Sequence, residues 1–159
     1  MENNRLTRME MLVGTNGIEK IKSTKVIIFG VGGVGGQAVE SLARAGIGHL
    51  CIVDRDIVDI SNTNRQLIAL DSTIGQDKVV VLKKRILDIN PVIDIKALKQ
   101  EVTGENLSSF NLQDYDYVVD AIDSITHKLA LIMYCLDHQI KIISSMGAGN
   151  RLDPTKVYV

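Results

Sequence analysis

The sequence predicts an α/β fold, a Rossmann-like doubly wound and mostly parallel sheet with helices on both faces. Three observations carry this. A short β-branched apolar run, Lys25 to Phe29 (KVIIF), ends on glycine, as a buried parallel strand does. The run Gly30-Val31-Gly32-Gly33-Val34-Gly35 joins it to a segment with helical spacing. Strand-like and helix-like segments then alternate along the chain.

The elements follow in order. Val34 to Ala45 places Val34, Ala38, Val39, Leu42 and Ala45 on one helix face, and Gly46-Ile47-Gly48 stops that helix. His49 to Val53 (HLCIV) is the second strand and ends at Asp54. Gln76 to Ile89 is an amphipathic helix with Val79, Leu82, Ile86 and Ile89 on one stripe, closed by Asn90-Pro91. Val92 to Leu98 reads as the third strand, and Thr103 to Phe110 as a short helix capped by Thr103. Tyr115 to Val119 is a fourth strand, Ser124 to His138 a helix, Ile140 to Ser144 a fifth strand and Thr155 to Val159 a further one. Ahead of the sheet, Gly17 to Lys22 is expected to form one helix packing on its edge. Residues 1–22 thus read as an N-terminal helical arm and 23–159 as one nucleotide-binding domain. The apolar end without a closing helix leads us to expect an N-terminal fragment of a longer protein.

Composition excludes several classes. The chain has 159 residues, 45% hydrophobic and 23% charged, the balance of a globular domain with one core. No apolar run reaches the roughly 18 residues of a membrane span. Met1 to Lys22 is polar and lacks the layout of a signal peptide, so a cytoplasmic location is expected. Cys51 and Cys135 form no C-x-x-C pair and read as buried small apolar residues. His49, His127 and His138 show no triad or metal spacing. A net charge of −1 is unlike the basic footprint of a stand-alone nucleic-acid binder. An RNA substrate would need a local patch, another subunit or additional sequence.

Each glycine of the loop has a physical task. Gly30 permits the turn off the strand, Gly32 and Gly33 leave the backbone bare for a phosphate, and Gly35 lets helix and strand approach closely. The N-terminal N–H groups of the following helix favour the anion. Asp54, nineteen residues beyond Gly35, is placed to accept ribose hydroxyls. These features alone fit an NAD enzyme as well as an ATP enzyme.

Further motifs separate the two. Asp54-Arg55-Asp56, Ser61-Asn62-Thr63-Asn64-Arg65-Gln66, Gly75-Gln76-Asp77-Lys78 and Asp120-Ala121-Ile122-Asp123-Ser124 follow in that order. The series resembles the ThiF/MoeB/HesA family, bacterial relatives of ubiquitin-activating enzymes, from about Arg5 to the end. Within it, three stretches resemble the tRNA threonylcarbamoyladenosine dehydratase branch. These are Asp120-Ala121-Ile122-Asp123-Ser124, the Asn62-x-Asn64-Arg65-Gln66 run, and Gly147-Ala148-Gly149 with Asp153-Pro154-Thr155.

The resemblance implies ATP and Mg²⁺ as cofactors and assigns roles. Gly33 lies against the nucleotide, with Gly30, Gly32 and Gly35 shaping the loop. Asp54 holds the ribose, and Arg65 and Lys78 bind the triphosphate. Asp123 coordinates Mg²⁺. Asn62, Gln66 and Ser124 add contacts, and Asp56 orders the site. Arg8, in Arg5-Leu6-Thr7-Arg8, reaches the phosphates of a partner subunit, which implies a homodimer. The implied partners are tRNA as substrate and a cysteine desulfurase or sulfur-acceptor system. Structural alternatives stand beside these roles: Arg65 capping a helix end, Lys78 on a solvated helix face, Asp123 as a helix N-cap, and Asp120 tying down loops. Other functional readings are a sulfur-carrier adenylyltransferase, an NAD-dependent oxidoreductase and a nucleotide-sensing binding module.

Overall fold

The computed structural model describes residues 4–147 and Asp153. Five strands form one parallel sheet: β1 (Lys25–Phe29), β2 (His49–Asp54), β3 (Asp94–Lys99), β4 (Tyr117–Asp120) and β5 (Ile142–Ser144). Their order is β3-β2-β1-β4-β5. The chain steps outward from β1 in one direction, then returns to its other side with β4. That reversal opens a crevice at the carboxyl ends of β1 and β4, where open α/β sheets bind ligands. The expected strand Thr155 to Val159 lies outside the described residues.

Among the described residues four α-helices frame the sheet: α1 (Thr7–Ser23), α2 (Gly35–Ala45), α3 (Lys78–Ile89) and α4 (Ile125–Asp137). Alternation along β1 divides the core in two. Val26 and Ile28 pack with Val39 and Ala43 of α2 and Val79, Leu82 and Ile86 of α3. Ile27 and Phe29 pack on the opposite face with Leu131 and Cys135 of α4, and with Phe110. The ring edge of Phe110 meets Phe29 at a centroid distance of 5.1 Å. Helices therefore cover both faces, as the sequence predicts.

Several boundaries differ from the sequence reading. The arm is helical from Thr7, not only from Gly17, with a break at Gly14, whose φ is 72°. Gly14 is a kink between two helical segments, not an end. Leu6 docks at the end of α2, where a Cβ on Gly46 would lie 2.7 Å from its Cδ2. Thr103 does not cap a helix. Its N–H instead donates to Asn106 Oδ1 at 2.9 Å, and only short 3-10 turns follow at Leu107–Phe110 and Leu112–Asp114. The third, fourth and fifth strands each begin two residues later than expected. No helix among the described residues is long and apolar enough to cross a membrane.

Both thiols are buried among apolar side chains. Desolvation raises the pKa of Cys51 and pushes that of Cys135 up to about 11, so neither is a thiolate near neutrality.

Glu40 ties α2 to α3. It receives Arg85 Nε at 2.6 Å and Arg44 Nη2 at 2.7 Å. The bond from Arg85 is the main cause holding this carboxyl below its usual pKa of 4.5. A depressed folded pKa means the stabilisation is present above the unfolded value and lost as pH falls through the folded one. Glu40→Gln should therefore melt about 2–4 °C below the wild type at pH 7, a loss of about 1 kcal/mol. Paired melts from pH 7 downward should show the gap closing only below about pH 4.5.

Candidate nucleotide site

The glycine loop leaves β1 still paired to its neighbour, since the Gly30 N–H donates to Val53 O at 2.9 Å. Gly30 has a φ of 84°, and a Cβ there would lie 2.6 Å from Ala121 O. A Cβ on Gly35 would sit 1.8 Å from Gly30 O, so only glycine lets α2 start this close to β1. Gly32 and Gly33 differ from these two. A Cβ on either would meet only side-chain atoms or Arg65 O, at 3.5 Å or more. Their bare backbone is not required by packing within the chain. It leaves N–H groups open at the start of α2, as an anion cradle requires.

Asp54, the last residue of β2, reaches across to this loop. Its Oδ2 accepts the Val31 N–H at 2.8 Å, and its Oδ1 accepts the Asp56 N–H at 2.8 Å. Asp56 Oδ2 in turn receives Lys78 Nζ at 2.8 Å. Loop, aspartates and lysine form one connected relay. A carboxylate offers about four lone-pair sites, so two remain on Asp54 for further donors.

Lys78 is the first residue of α3, brought beside the end of β2 by an antiparallel bridge between Ile57 and Asp77. It is 5% exposed, which overturns the reading of a solvated helix face. A lysine at a helix N-terminus opposes the helix dipole and needs an anion nearby. Asp56 supplies one and is itself half-exposed.

Arg65 lies along the loop, its Cγ 3.5 Å from where a Gly33 Cβ would be. Its Nη1 donates to Ser61 O at 3.1 Å and to Asn64 Oδ1 at 2.9 Å. It thus braces the short turn Ile60–Asn62 as the capping alternative expects, while its exposed side chain remains at the crevice. Asn62 is buried and works locally, its Oδ1 accepting the Asp59 N–H at 3.1 Å. Gln66 is 8% exposed, and its Oε1 has no hydrogen-bond partner among the described residues. Its Nε2 is 3.7 Å from the position of a Gly32 Cβ, so this amide lies beside the loop.

The other wall follows β4. Ala121 touches the Gly30 and Gly35 positions, and Asp123 comes two residues later. Asp123 is exposed, and among the described residues no hydrogen bond or ion pair holds its carboxylate. It is not the N-cap of α4. That position belongs to Ser124, whose side chain makes no cap bond. Asp120 does tie down loops, and its partner Lys128 does not stand out in the sequence. The available signal is a lysine eight positions after a strand-end aspartate.

Arg8 lies elsewhere. Two residues before it, Leu6 packs at Gly46, beyond the far end of α2 from the glycine loop. Eleven residues of helix separate those ends by roughly 16 Å. The structure therefore brings together the glycine loop, Asp54, Asp56, Arg65, Gln66, Lys78 and the Asp123 loop, and leaves Arg8 out.

The donor set fits a nucleoside triphosphate with a divalent ion. Bare loop N–H groups, two cations and the Gln66 amide NH2 beside Gly32 can all donate to phosphate oxygens. No cluster of three metal-ligating side chains occurs among the described residues. Mg²⁺ suits such a place, because it takes one or two carboxylates and completes its shell with phosphate and water oxygens.

Residues 4–158 match the ThiF family. The chain belongs to the ThiF family. A tRNA threonylcarbamoyladenosine dehydratase of Bacillus subtilis (strain 168) is 48% identical over 153 residues, covering 96% of this chain and 60% of the relative. The crystal structure of E. coli tRNA N6-threonylcarbamoyladenosine dehydratase, TcdA, in complex with ATP superposes with a TM-score of 0.91 at 38% identity. It covers 95% of this chain and 62% of that one. A sulfur carrier protein adenylyltransferase of Thermus thermophilus is 36% identical over 112 residues, 70% of this chain and 41% of the relative. The chain spans about three-fifths of the length of the first two.

Two glycine substitutions should separate ligand contact from packing. Gly35→Ala forces a methyl onto the Gly30 carbonyl and should cost about 3 kcal/mol or more, lowering Tm by roughly 6 °C or more. Gly33→Ala should melt within about 0.5 kcal/mol of the wild type yet bind ATP at least about tenfold more weakly. Calorimetric melts and ATP titrations on both variants check this; unchanged ATP affinity in Gly33→Ala would remove the cradle.

Proposed function

We propose that this chain is the ATP-binding, carboxylate-activating part of a tRNA threonylcarbamoyladenosine dehydratase. The observation that carries the reading is the convergence of Gly33, Arg65 and the Asp54–Asp56–Lys78 relay on the crevice between β1 and β4. An NAD enzyme has use for the glycine loop and Asp54. It has none for a buried lysine and an arginine beside the same loop. The greater identity to the dehydratase than to the sulfur-carrier enzyme favours the dehydratase reading over the alternative.

In this reading the threonylcarbamoyl carboxylate of the tRNA nucleoside attacks the α-phosphorus of ATP, and pyrophosphate leaves. A group of the same side chain then closes a ring on the activated carbon and releases AMP, so the nucleoside loses one water overall. The triphosphate carries about four negative charges, more than one helix dipole offsets. Arg65 and Lys78 supply fixed cations that stabilise charge building on the departing pyrophosphate. Asp54 uses its two remaining lone pairs for the ribose hydroxyls, and Gln66 and the loop N–H groups orient the phosphates. Asp123 would hold Mg²⁺, which supplies charge neutralisation to the phosphates. Ring closure within the substrate needs no protein nucleophile, in keeping with two buried thiols of raised pKa.

The same reading places the enzyme in the cytoplasm as a homodimer, with Arg8 acting across the interface. Its support is the distance of Arg8 from the chain's own loop and the exposed apolar run Met11, Leu12 and Val13 on the arm. The cysteine desulfurase or sulfur-acceptor partner rests on the family resemblance alone.

The decisive experiment incubates the full-length protein with ATP, Mg²⁺ and tRNA, and weighs the digested nucleosides. Loss of one water from threonylcarbamoyladenosine is expected; an unchanged nucleoside beside adenylation of a ubiquitin-like protein would overturn the reading. Arg65→Ala and Asp123→Ala should each lower turnover by about 100-fold or more while leaving the melt unchanged. Mixing Arg8→Ala with Arg65→Ala protein tests the interface. Statistical heterodimers carry one intact site in half of the dimers, so roughly a quarter of wild-type activity should return. No recovery from two inactive variants would place Arg8 in its own protomer's site, and full activity of Arg8→Ala alone would place it outside the site.

A further inference from the structure

Asp120, the last residue of β4, is completely buried, and Lys128, in the first turn of α4, is 5% exposed. Lys128 Nζ lies 2.7 Å from Asp120 Oδ2 and 2.9 Å from Ser145 O, with Ser144 Oγ at 3.5 Å. Ser144, at the end of β5, also donates its hydroxyl to Asp120 Oδ2 at 2.5 Å. The remaining oxygen, Asp120 Oδ1, accepts the Ile122 N–H at 3.0 Å. One ammonium thus joins the end of β4, the start of α4 and the exit of β5. Nothing in the nucleotide reading uses it.

Burying this pair is costly. Each ion loses hydration worth several kcal/mol, and a cation in the first turn of a helix also opposes its dipole. Two well-packed apolar residues would serve stability as well or better. What an apolar pair lacks is direction. Asp120 fixes the Ile122 N–H, and Asp123 is the next residue. Ala121, on the other side of Ile122, rests against Gly30 and Gly35. The loop carrying Asp123 is therefore pinned at one end by the glycine turn and at its middle by the aspartate that Lys128 holds.

We propose that Lys128 is a positioning residue: through Asp120 it aims the Asp123 carboxylate at the nucleotide crevice and sets the divalent-ion dependence of ATP binding. This rests on the nucleotide site described above. Lys128 itself touches neither ATP nor the ion.

The test measures ATP affinity by calorimetric titration of the full-length protein, with and without Mg²⁺, together with thermal melts. In the wild type, Mg²⁺ should tighten ATP binding, and Asp123→Asn should abolish that tightening. Lys128→Met should keep the Mg²⁺-free affinity within about twofold and lose about tenfold or more of the Mg²⁺-dependent gain, the usual cost of removing support behind a metal ligand. Adding Asp123→Asn to Lys128→Met should change nothing further, because both act through one carboxylate. Lys128→Arg should restore most of the gain.

Should Lys128→Met fail to fold with Asp120 left uncompensated, the apolar pair Lys128→Met/Asp120→Val carries the same prediction without a buried charge. A folded variant with wild-type Mg²⁺ dependence would overturn the proposal, and so would effects that add to those of Asp123→Asn. A merely structural lysine would lower Tm and leave the Mg²⁺ dependence intact. Absence of ATP binding in the wild type would instead refute the nucleotide reading itself.

Discussion

The carboxyl end of the sheet is organised around the carboxylate of Asp54. One oxygen fixes the Val31 N–H in the glycine loop and the other fixes the start of the segment leading to Lys78. Without these two bonds the loop would be free to rotate away from β2, and Lys78 would lose the aspartate that makes its burial tolerable. A single short acid at the end of a central strand can do this because β1 and β2 are in parallel register, with Phe29 opposite Val53. The next residues, Gly30 and Asp54, then lie side by side at the carboxyl edge of the sheet.

The two walls of the crevice share one design. On one side Lys78 begins α3 and is neutralised by Asp56, two residues past the end of β2. On the other, Lys128 lies in the first turn of α4 and is neutralised by Asp120, the end of β4. In both cases a helix start, where positive charge is disfavoured, carries a buried lysine held by an acid at a strand end. The difference between the acids separates their uses. Asp56 is half-exposed and can share its lysine with a ligand, whereas Asp120 is sealed and can only support its surroundings.

Much of this is legible in the sequence for local reasons. The glycine run, the apolar strand before it and Asp54 are near neighbours in sequence or sit at a fixed spacing, so a sheet with this site follows from them directly. Arg65, Lys78 and Asp123 gain meaning only from motif order, because each alone has an ordinary surface reading. The burial of Lys78 is half-hidden: it lies four residues before Leu82, at the edge of the stripe of Val79, Leu82 and Ile86, but a charged residue at a helix start has an ordinary solvated reading. The pairing of Asp120 with Lys128 depends on the turn between β4 and α4, which no periodicity encodes. The arm is read too short because its first turns, from Thr7 to the kink at Gly14, are largely exposed and show no buried stripe, and the position of Arg8 depends on the docking of Leu6 against Gly46.

The two native thiols have a practical consequence. Both are shut inside the apolar layer under α4 and stay protonated near neutral pH, so maleimides and mild oxidants will find them poor targets in the folded molecule. A cysteine engineered on the exposed stretch around Asn64 would then be the one readily labelled position, with no need to strip out the natural pair first. A fluorophore there would sit at the lip of the crevice and report its filling in real time.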